Sequence, residues 1–113
     1  MPKKPAIPSK RRVRGSRTGR PIMVLLDLLG RRWSLRILWE LREGPLTSRA
    51  LRAACDEASP TVLQARLSEL RAAGLIALAP AGGYGLTPLG RELLETFLPL
   101  HRFAERWSKR AAS

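Results

Sequence analysis

In the stretch PTVLQARLSELRA, residues 60–72, four polar side chains recur on one side of what the spacing predicts to be a helix: Thr61, Gln64, Ser68 and Arg71. The glutamine amide can bridge the N6 and N7 edge of adenine, and the threonine and serine hydroxyls can reach a base, a thymine methyl or a phosphate. Glu69 is the sole acid of the stretch, and a face rich in glutamate would be repelled by a polyanion. Ala65 and Arg66 complete the candidate set on this helix. Arg66 projects between faces, open to gripping phosphate or to plain solvation, and Arg71 lies late enough to answer the negative helix end instead.

Other chemistry is sparse. Cys55 is the single cysteine and His101 the single histidine, so no ligand set for a structural zinc exists, and no carboxylate pair is spaced for acid–base work. AGGYG, residues 81–85, has glycines without the strand-to-helix setting of a phosphate loop. These absences argue against an enzyme, a metal or a cofactor. Cys55 reads as a small turn-packing residue and His101 as a packed or solvated helical one.

A polar face is useful only if other elements hold it, and the chain supplies them. Leu63, Leu67 and Leu70 recur at i, i+4 and i+7, an inward stripe for the same helix. Ser59 and Pro60 suit its cap and first turn, and Gly74 its left-handed end. Upstream, Pro21 to Leu29 reads as a helix stopped at Gly30, and Ser34 to Arg42 as a second helix ended by Gly44-Pro45. Thr47 or Ser48 caps a short helix reaching Ala54, and Cys55 to Ala58 is a turn. Downstream, Leu75 to Ala79 and Tyr84 to Thr87 read as a hairpin about the loop Pro80 to Gly83. Thr87-Pro88 then starts a long helix, which Pro99 should kink. Its apolar stripe, Leu89, Leu93, Phe97, Leu100, Ala104 and Trp107, outgrows a small monomer core. Trp33 and Trp39 are expected as core or helix-contact aromatics.

The 113 residues carry 21 Lys and Arg against 9 Asp and Glu, a formal charge of +12, which favours a polyanionic partner. Residues 1–20 hold eight of those bases and no acid. They read as a disordered basic arm in which Lys10, Arg11, Arg12, Arg14 and Arg17 engage phosphate or the minor groove, or simply solubilise. The remainder, 21–113, keeps 13 bases against 9 acids, so most of the net charge lies in the arm. Residues 21–110 form the expected folded domain and 111–113 a flexible tail. The lone cysteine favours a reducing compartment. Ile22 to Leu29 is too short, and interrupted by Asp27, to span a membrane, so a cytoplasmic, nucleoid-associated protein is expected.

Helix, helix, short helix, turn, helix, two-stranded ribbon, long helix predicts a mainly α fold with a small β-hairpin, the order of a winged helix-turn-helix with a long C-terminal dimerisation helix. The successive motifs LLGRRWSLRILWEL, GPLTSRALRAAC, SPTVLQARLSELRAAGLI and YGLTPLGRELL closely resemble the HxlR-type winged-helix transcriptional regulators, a group allied to the MarR-like regulators, over residues 22 to about 107. The resemblance implies a homodimeric, sequence-specific double-stranded DNA-binding regulator without catalysis. By it, the helix at 60–73 enters the major groove, 75–87 is the wing, and the first and last helices build the dimer, through Ile22, Leu25, Leu26, Leu93, Phe97, Leu100, Ala104 and Trp107.

Departures from the family pattern narrow what is carried over. Arg20-Pro21-Ile22 stands where members commonly have a cysteine, so thiol sensing is not inferred from that position. Thr47-Ser48 replaces a basic-aromatic pair, and the wing, ALAPAGGYGLT, has neither Lys nor Arg. Arg31 and Arg32, at a helix junction, are either backbone contacts or a solvated boundary. Two other readings compete: a nonspecific nucleic-acid-binding or chromatin-associated protein of the same fold, and a protein-interaction module working through the last helix. Operator, target genes, direction of regulation and any small-molecule effector are not legible.

Overall fold

The computed structural model describes residues 19–112. The arm residues Lys10, Arg11, Arg12, Arg14 and Arg17 lie outside that range. The elements are α1 (Pro21–Leu29), α2 (Ser34–Glu40), α3 (Ser48–Ala54), α4 (Pro60–Ala72), β1 (Ile76–Leu78), β2 (Tyr84–Leu86) and α5 (Pro88–Ala112). This is a mainly α-helical winged helix-turn-helix whose antiparallel hairpin forms the wing.

The core gathers the inward stripes of the first four helices: Leu28 and Leu29 from α1, Ile37 and Leu38 from α2, Leu51 from α3, and Leu63, Leu67 and Leu70 from α4. Burying leucines of this kind contributes about 1.5–3 kcal/mol each, so three from one helix are ample to hold α4 to the body. Leu41, Cys55, Ala58, Leu75 and Ile76 close the cluster.

Local signals explain most boundaries. Pro21 and Pro60 occupy first-turn positions, where the missing amide is harmless. Thr47 caps α3, its Oγ1 accepting from the Ala50 amide at 3.0 Å. Ser59 stands at the N-cap of α4 without a side-chain cap bond, so proline and core burial start that helix. Gly74 takes φ 77° just past α4, a conformation costly for any residue with a Cβ. Helix α2 ends at Glu40, short of the expected Arg42, as Leu41 and Arg42 pass into a tightened turn with Arg42 N donating to the Trp39 carbonyl at 3.1 Å.

The turn between α3 and α4 is made by Asp56 and Glu57, both left-handed, at φ 54° and 58°. Arg36 of α2 stabilises it, donating to the Ala54 carbonyl at 2.6 Å and to Asp56 Oδ2 at 3.3 Å while its Nε holds Glu40 at 2.6 Å. Arg52 Nε donates to the Ala58 carbonyl at 3.1 Å from the other side. Trp33 is also left-handed, at φ 77°, before α2. That conformation is unfavourable for a bulky residue, and the ring is held by packing against the core and by Arg32, 5.2 Å from its centroid.

The hairpin pairs Ile76 with Leu86, Ala77 with Gly85 and Leu78 with Tyr84. Both strands are shorter than their sequence pattern suggests. An isolated antiparallel bridge joins Leu46, in the α2–α3 connection, to Tyr84, with amide-to-carbonyl distances of 2.9 and 2.8 Å. Thr87 joins three elements through one hydroxyl, donating to the Gly74 carbonyl at 2.6 Å and accepting from the Gly90 amide at 3.0 Å. Gly90 is buried against β1, where an added Cβ would collide with the Leu75 carbonyl oxygen.

Helix α5 runs through Pro99 and continues to Ala112, so residues 111 and 112 are helical where a tail was expected. Alanines have the highest helix propensity and prolong the last turn. The helix leaves the body midway: Leu94 is buried and Phe97 half-buried, while residues 98–111 are all exposed. No helix among the described residues is long and apolar enough to cross a membrane.

Candidate nucleic-acid interface

The 13 residues of α4 divide into three sectors. Leu63, Leu67 and Leu70 face the core. Thr61, Gln64, Ala65, Ser68 and Arg71 are exposed and line one side, the first four around a shallow depression with Pro60. At a rise of 1.5 Å per residue this strip extends about 15 Å along the helix axis. The side chains of Thr61, Gln64, Ser68 and Arg71 have no hydrogen bond or ion pair among the described residues, so no described residue makes use of their polar groups.

Arg66 and Glu69 occupy the third sector, a flank between the buried and exposed sides, and the structure separates Arg66 from the other candidates on this helix. Its side chain is mostly buried, its Nη1 bonds Glu69 Oε1, and its Nε is enclosed without a partner. Glu69 also accepts from Arg31, which reaches Oε2 with Nη1 at 2.6 Å and Asp27 Oδ2 with Nη2 at 3.0 Å. Burial lowers the Arg31 pKa, but the bonds and charges of Asp27 and Glu69 outweigh it and the pKa is raised. Arg31 is therefore engaged within the fold, and Arg32 is exposed and stacked on Trp33.

One cation escaped the sequence reading. Arg49, the second residue of α3, is exposed and has no partner among the described residues. The signal was present in TSRALR: a capped helix start with a basic residue in its first turn, next to the Thr47-Ser48 pair. The wing loop is closed by Ala79 N donating to the Gly83 carbonyl and Gly82 N to the Ala79 carbonyl, each at 2.9 Å, and from Leu75 to Thr87 it offers no cation.

The candidate dimer residues fall into two groups. Leu25, Leu93 and Phe97 pack against the chain's own core. Ile22, Leu26, Leu100 and Trp107 are exposed at 57, 53, 55 and 64%, and Ala104 is exposed beside them on α5. Phe103, exposed at 51%, belongs with this second group and was not singled out from the sequence. An apolar groove between α2 and α5 is lined by Leu35, Trp39, Leu94, Phe97, Leu100 and His101. In it His101 stacks on Trp39 at 5.3 Å while its Nε2 lies 3.1 Å from Glu105.

Cys55 is fully enclosed, and burial pushes its thiol pKa up despite the opposing charge of Arg36. No cluster of His, Cys, Asp and Glu suited to a metal occurs among the described residues.

Comparison with known proteins agrees with this geometry. Residues 28–112 match the family described as HxlR-like helix-turn-helix. The chain is similar to a HTH-type transcriptional regulator, sll1512, of Synechocystis, with 31% identity over 93 residues covering 77% of this chain and 69% of that protein. Among solved structures it resembles quinone-bound YodB of B. subtilis, with a TM-score of 0.70 and 25% identity, covering 77% of this chain and 97% of the other. It also resembles a MarR-family regulator of Enterococcus faecalis V583, with a TM-score of 0.69 and 25% identity, covering 90% and 98% of the two chains. The chain belongs to the HxlR-like helix-turn-helix family, a family of DNA-binding regulators rather than enzymes.

Proposed function

We propose that the protein acts as a homodimeric, sequence-specific regulator of transcription on double-stranded DNA in the cytoplasm, associated with the nucleoid, with α4 in the major groove. The observation that carries this reading is the face of Thr61, Gln64 and Ser68: exposed hydrogen-bonding groups on a helix whose opposite side is locked in the core. Arg71 and Arg49 supply phosphate contacts at the edges of the groove, and the arm residues Lys10, Arg11, Arg12, Arg14 and Arg17 supplement a wing without cations.

The dimer reading is supported by Ile22 and Leu26 on α1 and by Leu100, Phe103 and Trp107 on α5, large apolar groups that a lone chain leaves in water. YodB is described with a bound quinone. Quinones add to thiolates, and here the sole cysteine is enclosed and held in its neutral form, so no thiol-based response is assigned to this chain.

Selection of genomic fragments by the purified protein at moderate salt tests the proposal. Enrichment of fragments sharing a motif with two half-sites is the expected result. Retention of scrambled duplexes as efficiently as any genomic fragment would instead establish the nonspecific, chromatin-like reading. Sedimentation of the wild type and of Trp107→Ser tests the dimer: a dimer that dissociates on substitution supports it, and a monomeric wild type at micromolar concentration refutes it.

A further inference from the structure

We propose that Arg31 is a positioning residue for α4: held by Asp27 at the end of α1, it grips Glu69 and so fixes from α1 the direction in which the Thr61–Gln64–Ser68 face leaves the body. This inference rests on the reading of α4 as the helix that enters DNA.

The geometry is that of a clasp. Arg31 lies in the connection between α1 and α2, 38 residues from Glu69. Its guanidinium is forked, one nitrogen 3.0 Å from Asp27 and the other 2.6 Å from Glu69, while the second Glu69 oxygen receives Arg66. Asp27 and Arg66 side chains are 15 and 19% exposed, and Arg31 and Glu69 40 and 31%, so solvent screens the Arg31–Glu69 contact in part while the inner partners anchor it. Among the described residues no other side-chain hydrogen bond or ion pair joins α4 to α1 or to the α1–α2 connection.

The three buried leucines hold α4 down, but the apolar attraction itself is non-directional. A planar guanidinium between two carboxylates supplies the missing direction, and a lysine in its place would keep the charge without the fork. The clasp also bears on charge at the DNA face: Glu69 is paired from two sides, by Arg31 and by Arg66 Nη1, which offsets its repulsion of phosphate.

The test compares Arg31→Met, Arg31→Lys, Glu69→Gln and the Arg31→Met/Glu69→Gln double variant in the full chain. Affinities are measured for a selected genomic fragment and for a scrambled duplex across a salt series. A positioning role predicts that both Arg31 variants lower the fragment-to-scrambled ratio by about two- to five-fold per half-site. The salt dependence on scrambled DNA stays that of the wild type. Glu69→Gln lowers the same ratio while tightening scrambled binding, because a negative charge beside the DNA face is removed while Arg31 stays held by Asp27, and the double variant discriminates no worse than either single.

A direct phosphate contact predicts the reverse, and that result would overturn the proposal. Arg31→Lys then behaves as wild type, and Arg31→Met flattens the salt dependence on both duplexes by about 0.9 per lost contact. If no fragment is enriched, sequence-specific reading fails by itself, and the clasp is judged by hydrogen exchange in Arg31→Lys. Faster exchange confined to α4 amides supports it, and unchanged α4 exchange refutes it.

Discussion

Replacing Thr61, Gln64 and Ser68 together by alanine should separate stability from recognition. All three side chains are exposed and none has a hydrogen-bond partner among the described residues, so the fold loses no polar contact. Alanine is the better helix former by up to about 0.7 kcal/mol per residue, which makes the variant as stable as the wild type or more stable by about 0.5–1.5 kcal/mol. For a domain of this size that raises Tm by a few degrees. A bidentate glutamine–adenine contact alone is worth about 1–3 kcal/mol of discrimination, so the ratio of affinities for a selected site over a scrambled one should fall at least about ten-fold. Affinity for scrambled DNA should move by less than about two-fold, because no cation is removed. Thermal melting and fluorescence titration on both duplexes read the two effects. A folded variant that keeps its full discrimination would refute the assignment of this face.

Gly90→Ala should destabilise the protein by about 1–3 kcal/mol, because the new Cβ meets the Leu75 carbonyl oxygen; a rise in Tm, which helix propensity alone would give, would contradict the packing. Deleting residues 1–18 should weaken DNA binding and flatten its salt dependence by about 0.9 per lost phosphate contact, and unchanged affinity and slope would make the arm a solubilising tail. The raised thiol pKa of Cys55 means that its contribution to stability is complete below the ordinary value of 9.0 and is lost as pH rises through the folded value. Cys55→Ala should therefore soften the alkaline decline in stability. In the wild type, thiol reagents should label Cys55 only at the rate of unfolding; rapid labelling of the native protein would show that the burial is wrong.

The architecture was legible in the sequence because its local signals agree with its burial pattern. Leucines at 63, 67 and 70, prolines at 21, 60 and 88, the Thr47 cap and Gly74 each point to the element that forms. The polar face of α4 was legible for the same reason, since exposure follows from helical period once the buried side is known. Less legible was everything that depends on contacts distant in sequence. The bridge from Leu46 to Tyr84 leaves no periodicity, and the left-handed Trp33 is set by its surroundings. Arg31 and Arg66 read as free cations until the fold brings Glu69 between them. Leu25, Leu93 and Phe97 read as dimer residues, and in the fold they lie half-buried against the chain's own core; a helical stripe does not say where one chain ends its use of it and another begins.

Footprinting of the wild-type protein on a selected fragment bears most directly on the claim that paired copies of α4 read DNA sequence. Two protected major-groove blocks are expected, their centres about 34–36 Å apart, one turn of the duplex, and resistant to excess scrambled competitor. Protection without fixed spacing, erased by that competitor at equal affinity, would contradict it.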